Sequence, residues 1–210
     1  MVVKIAGLRE KQKVDRHRRM VSAASRLFTK HGYDATSMEA IADKAGVSVG
    51  TVYNYYESKS EILLAIVVQE GEETYASGQI LLNEAESGAS GVLDDLVVLY
   101  LKSPLRFMRK PEWRQAIALS ILQPETRFGR QYRQVESRLE ALSSQAIENL
   151  VKRGELVGVS EPTALGKVLF HTVHAAFVTF ISNENVKFDD IHAELKTRID
   201  AMLKCYFPGD

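Results

Sequence analysis

Apolar residues along this chain recur at intervals of three and four almost from end to end, and the period-two alternation of a half-buried strand, bounded by hairpin turns, is absent. Stripes of that period are buried only by packing helix against helix, so the spacing predicts an all-α protein. Met20, Ala23, Ala24, Leu27, Phe28 and His31 fall on one stripe, and Gly32 stands where a left-handed residue ends a helix. Thr36 to Glu39 and Ser58 to Glu61 each fit the S/T-x-x-E capping box of a helix start. A fourth helix is expected from Ser60 to about Leu82, followed by a loop over Ser87–Gly91. Later helices are expected over Val92–Met108, Glu112–Leu122, Glu125–Arg153, Pro162–Ser182 and Asp189–Tyr206, parted by Pro111, Pro124, Gly154 to Gly158 and Asn183 to Asn185.

Charge is balanced overall, at 27 basic and 27 acidic residues, but unevenly placed. Up to Ser60, 11 Lys and Arg stand against 6 Asp and Glu, so the N-terminal end is basic and the remainder acidic. Lys4, Arg9, Lys11, Lys13, Arg16, Arg18 and Arg19 read either as a flexible cationic arm over residues 1–19 that meets phosphates, or as a solvated tail. No stretch approaches the roughly 18 consecutive apolar residues of a spanning helix, so no membrane contact is expected. The N-terminus lacks the apolar run and cleavage site of a secretory signal, and the single Cys205 has no internal partner; both point to the cytoplasm.

The segment from Ser37 to Tyr56 is the informative part of the chain. Met38, Ile41, Ala42 and Ala45 make the inward face of a short helix, and Ala42 is small where a second helix crosses. Gly46 permits the positive φ of a sharp inter-helix turn, Val47 fills the space beneath it, and Ser48 is a good N-cap for the next helix. Val52 and Tyr56 then point back into the core, leaving Val49, Gly50, Thr51, Tyr53, Asn54 and Tyr55 on or near the outer face. The pattern reads as a helix-turn-helix. Helix pairs joined by glycine also occur in domains that never touch nucleic acid; the preceding basic residues, and an outer face of small and hydrogen-bonding groups, favour the major groove of DNA.

Residues from about Arg16 to Ile66, including Ala24-Ser-Arg-Leu-Phe28, His31-Gly-Tyr33, Ala35-Thr-Ser37, Ile41-Ala42, Ala45-Gly-Val-Ser48, Gly50-Thr-Val-Tyr53 and Ser58-Lys59, resemble the N-terminal domain of the TetR family of bacterial regulators. The resemblance implies an N-terminal three-helix DNA-binding domain over 1–60 and a larger helical ligand-binding and dimerisation domain over 61–210. It further implies a homodimer on a palindromic double-stranded operator, and a repressor released by a small-molecule inducer, partly apolar and of unknown identity. The helix after Ser48 becomes the recognition helix, with Thr51, Tyr53 and Tyr55 reaching bases or phosphates. Ser37 and Lys59 resemble residues whose backbone or side chain clamps phosphates. Val49 stands where many members carry Lys or Arg, so an apolar contact, such as one with a thymine methyl, is expected there.

The second half carries less. Leu169, Val173, Ala176 and Phe180 lie on one stripe, Leu195, Ile199 and Met202 on another, and these two helices resemble the family's dimerising pair; the same stripes also suit the subunit's own core. Ala175-Ala176 suits close approach. Tyr100, Phe107, Met108, Trp113, Leu119, Phe128, Tyr132, Phe170 and His174 concentrate bulky side chains where the family places its inducer pocket, although such stripes are also plain core. His171 and His174 lie three apart, but nothing nearby in sequence completes a metal site, and neither metal nor cofactor is expected. No phosphate loop, nucleophile elbow or Cys–His context suggests an enzyme. A helical protein–protein adaptor remains the alternative.

Overall fold

A computed structural model describes residues 2–84 and 88–207, with side chains from Glu10 onward. The described residues contain no strand and form α1 (Val2–His31), α2 (Met38–Ala45), α3 (Val49–Tyr55), α4 (Lys59–Glu84), α5 (Ala89–Lys102), α6 (Lys110–Leu122), α7 (Arg127–Lys152), α8 (Pro162–Ser182) and α9 (Phe188–Leu203). The chain is all-α, with an N-terminal helix-turn-helix domain followed by a helical C-terminal domain.

Several boundaries depart from expectation for identifiable reasons. Residues 2–19, expected as a flexible arm, continue α1. Asp15 braces that stretch by pairing with Arg18 and Arg19, three and four residues on, at 3.1 Å each. The side chains of Lys4 and Arg9 lie outside the described residues. α5 stops at Lys102, well short of Met108, because Pro104 has no N–H to give and its ring collides with the carbonyl four residues back; a 3-10 turn over Pro104–Arg106 follows. Ala89–Gly91, expected as loop, form the first turn of α5, and Ser87 lies outside the described residues. Thr36 is not a cap: it is buried and its hydroxyl donates to Gly32 O at 2.8 Å, while Ser37 caps α2. At the start of α4, Glu61 reaches back to accept from the Glu57 N–H at 2.8 Å.

The chain packs as two units, residues up to Gln69 with Phe107–Gln131, and Glu70–Arg106 with Tyr132 onward. In the first, Met20, Ala24 and Phe28 of α1 are buried together with Ile41, Val52, Ile62 and Ile66. Residues 107–131 are tied to this unit rather than to the helix before them. Ser25 donates to Phe107 O at 2.5 Å, Arg109 donates to Phe28 O at 3.4 Å, and Met108 and Trp113 are buried.

The second unit depends on three glycines. A Cβ on Gly71 would lie 2.3 Å from Val135 Cγ1, and one on Gly78 would lie 2.3 Å from Leu142 Cδ2. Both pairs advance by seven residues in the same direction, so α4 and α7 run parallel, with Gln79 bonded to Gln145 at 2.8 Å. A Cβ on Gly166 would lie 2.3 Å from Ser144 Cα, which brings α8 backbone to backbone with α7. Among the described residues α8 alone has the length and hydropathy to cross a membrane. Its apolar content has another outlet here, since Leu169, Phe170, Val173, Ala176, Phe177, Phe180 and Ile181 are buried in the unit's own core.

Candidate nucleic-acid interface

Two caps and one left-handed glycine set the angle between α2 and α3. Ser37, in extended backbone, accepts the Ala40 N–H at 3.1 Å and starts α2. Gly46, at φ 65° and ψ 43°, ends it, with its N–H on Asp43 O at 3.0 Å and that of Val47 on Ala42 O at 3.0 Å. Ser48 then accepts the Thr51 N–H at 3.1 Å, and its hydroxyl also meets the Thr51 hydroxyl at 2.8 Å. Met38, Ile41, Ala42, Ala45, Val52 and Tyr56 are buried, as the spacing predicts.

What remains outward is the candidate reading face. Gly50, Tyr53 and Asn54 are exposed, and Val49, Thr51 and Tyr55 are half-buried. An added Cβ on Gly50 would meet nothing within 4 Å. Tyr55 O–H donates to Lys13 O at 3.4 Å, tying α3 to α1. Beneath it the Tyr56 ring lies 5.8 Å from His17, and its buried hydroxyl has no hydrogen-bond partner among the described residues. Burial, with the neighbouring Tyr55, drives the Tyr56 hydroxyl well above its ordinary range, while burial lowers His17.

The side chain of Lys59, one of the two ways in which the resemblance lets this residue clamp phosphate, is engaged within the domain. Its ammonium donates to Tyr33 O at 2.6 Å, Thr36 O at 3.0 Å and Asp34 O at 3.1 Å, and sits 4.4 Å from the Tyr33 ring centroid. A lysine has three N–H donors, and all three are engaged by carbonyls of the α1–α2 turn. Lys59 therefore holds the turn that presents Ser37, and its ammonium has no donor left for a phosphate.

The other expected sites are distributed as follows. Leu169, Val173, Ala176, Phe180, Leu195 and Ile199, expected at a dimer interface, are buried inside the second unit, and Met202 is half-buried. The subunit's own core takes them because their stripes face α5 and each other. α8 instead turns Val168, His171, Ala175 and Thr179 outward. Of the pocket residues, Phe107, Met108, Trp113, Leu119 and Phe128 belong to the first unit, and Tyr100, Tyr132, Phe170 and His174 to the second. In the second unit, Tyr100 O–H donates to Leu139 O at 2.8 Å, and its ring meets Phe170 edge-on at 6.1 Å. His174 Nδ1 lies 3.4 Å from Glu136 Oε1, with His174 lowered and Glu136 raised, both chiefly by burial. No cluster fit to hold a metal ion occurs among the described residues.

Sequence reading missed Glu70, which is 3% exposed and receives the Thr74 hydroxyl at 2.6 Å. Its signal was present, because Glu70 and Thr74 continue the apolar stripe of Ile62, Leu63, Ile66 and Val67.

A capped helix pair of this geometry, with a polar outer face, defines a helix-turn-helix protein. Residues 20–66 match the family model of bacterial regulatory proteins of the tetR family. Over 65 residues the chain is 37% identical to the HTH-type transcriptional repressor KstR of Rhodococcus jostii, covering 31% of each. It thus spans about a third of the length of the curated relatives it matches. Over 91% of its length it superposes on 96% of a Mesorhizobium loti chain described as a regulator of this family, with TM-score 0.67 and 25% identity. A Bacillus subtilis FadR regulator crystallised with stearoyl-CoA shares the fold, with TM-score 0.66 and 17% identity over 89% of this chain and 97% of that one. Residues 20–66 thus form a domain of the tetR family type.

Proposed function

We propose that the protein is a cytoplasmic, sequence-specific DNA-binding transcriptional repressor that sits on a palindromic operator as a homodimer and is released by a small, partly apolar molecule. One observation carries the DNA reading. α3 buries Val52 and leaves Gly50, Thr51, Tyr53 and Asn54 outward behind a capped start, with nothing within 4 Å of a Gly50 Cβ. Glycine in a helix costs roughly 0.5–1 kcal/mol relative to alanine, so the fold alone gives no reason for it; close approach of a base edge does. Residues 1–60 serve operator binding, and 61–210 serve ligand binding and dimerisation. That a regulator of the same fold holds stearoyl-CoA supports the ligand half of this reading. The outward stripe of α8, Val168, His171, Ala175 and Thr179, is the surface on which two subunits meet, and no catalysis is assigned to the chain.

Selection of binding sites from random duplexes, followed by mobility shift, tests the reading. Thr51→Ala and Tyr53→Ala should each weaken the selected site by about 1–3 kcal/mol and relax sequence choice. Gly50→Ala should fold normally yet bind the site poorly. Selected sites without inverted symmetry, or variants that bind as tightly as the parent, would sink it.

A further inference from the structure

Where α1 meets α2, the first unit has a concave surface lined by Arg18, Arg19, Arg26 and Lys44, with Ser22 in the same lining and no acidic residue. Arg18, Ser22 and Arg26 are spaced by four, a single stripe about 12 Å long on α1. Arg19 is fixed in place by Asp15 at 3.1 Å and by its own donation to Ala45 O at 3.2 Å. Asp15 is shared with Arg18, and Arg26 and Lys44 are exposed with no carboxylate paired to them among the described residues. Four cations converge here for one acid.

We propose that this groove is a second phosphate-binding surface, one that grips the duplex backbone beside the major groove in which α3 lies. It rests on the DNA-binding reading above. Position favours duplex phosphate over a free anion. Ala45, whose carbonyl Arg19 holds, precedes Ser48 by three residues, so no more than about 11 Å of chain separates the groove from the start of α3. The major groove is about 12 Å wide, and a helix seated in it has a phosphate row within that distance on either side. The surface is also concave and carries four cationic side chains, which suits a charged backbone and not a packed helix.

The experiment measures affinity for a long mixed-sequence duplex as a function of salt for the full chain, Arg26→Gln, Lys44→Gln and the double variant. Each removed phosphate contact should lower the slope of log affinity against log salt by about one unit, and the double variant should lower it by about two. Arg26→Lys should restore the slope, sequence preference should not change, and Lys152→Gln, an exposed charge in the second unit, should leave the slope alone. Slopes that stay put in the groove variants, or fall equally in Lys152→Gln, overturn the proposal. A parallel titration with inorganic pyrophosphate separates the sources. If the groove variants abolish pyrophosphate binding while sparing the duplex slope, the site belongs to a small free anion and the proposal fails. A full-length chain that shifts no duplex at any salt overturns the proposal and the DNA-binding reading together; duplex binding with unaltered variant slopes overturns the proposal alone.

Discussion

Glu70 is an acid where the helix pattern calls for an aliphatic side chain, and the Thr74 hydroxyl donates to it at 2.6 Å. Burial pushes its carboxyl up to about 7, with Glu73 adding to the rise and the Thr74 hydrogen bond opposing it. The folded chain therefore keeps this proton to a higher pH than the unfolded chain does. Below the ordinary glutamate range both states are protonated and nothing is lost; as pH rises from there to about 7 the unfolded state gives up its proton first and stability falls, then levels off. Glu70→Gln should match the parent in urea unfolding at pH 4 and exceed it at pH 8 by on the order of 3 kcal/mol, the upper bound set by a shift of this size. Equal gains at both pH values would show that the carboxyl's ionisation is not what limits stability. Tyr132 on α7 lies close to both Glu70 and Glu136, and Glu136 meets His174 of α8 at 3.4 Å.

At the scale of elements, Lys59 joins the first residue of α4 to the turn between α1 and α2. Three hydrogen bonds from an ammonium to carbonyls outweigh an exposed ion pair, because each is charge-assisted and together they tie one turn to the start of α4. Lys59→Met should lower the stability of the DNA-free protein by about 2 kcal/mol, read by urea unfolding, and leave the salt slope of duplex binding unchanged. A phosphate-contacting lysine would do the reverse. The residue types at Ser58-Lys59 carry the family resemblance, but which acceptor the ammonium finds depends on how far α4 stands from residue 33, and no local spacing encodes that distance. The glycines at 71, 78 and 166 make the same point. Each costs helix stability in isolation, and only the approach of Val135, Leu142 and the Ser144 backbone explains them.

For the whole molecule, α4 and α7 each pass from the first unit into the second, at Gln69 and at Gln131. On the proposed reading, a ligand of the second unit would release DNA only if its affinity differed between the DNA-competent and DNA-released forms. Coupling of about 1–3 kcal/mol would weaken operator binding roughly 5- to 150-fold, and the operator must weaken ligand binding by the same factor. Titrating an inducer, once found, against free protein and against the operator complex checks this: equal affinities would exclude release by this route.

Local chemistry was legible from the residues alone. The helical period, the left-handed Gly46, the caps at Ser37 and Ser48 and the inward set Met38, Ile41, Ala42, Ala45, Val52 and Tyr56 all depend on contacts within a few residues, and the structure places them as the spacing predicts. Long-range partnership was not. A stripe such as Leu169, Val173, Ala176 and Phe180 has the same period whether it faces its own core or a second subunit, and the structure gives it to the core. The basic run before Met20 looks alike as arm or as helix until Asp15 pairs with Arg18 and Arg19. The residues after Pro104 join the first unit because Ser25 and Arg109 bond across some eighty residues. Periodicity fixes which face of an element is apolar; only the packed chain decides what covers it, because that choice rests on distances between residues far apart in sequence.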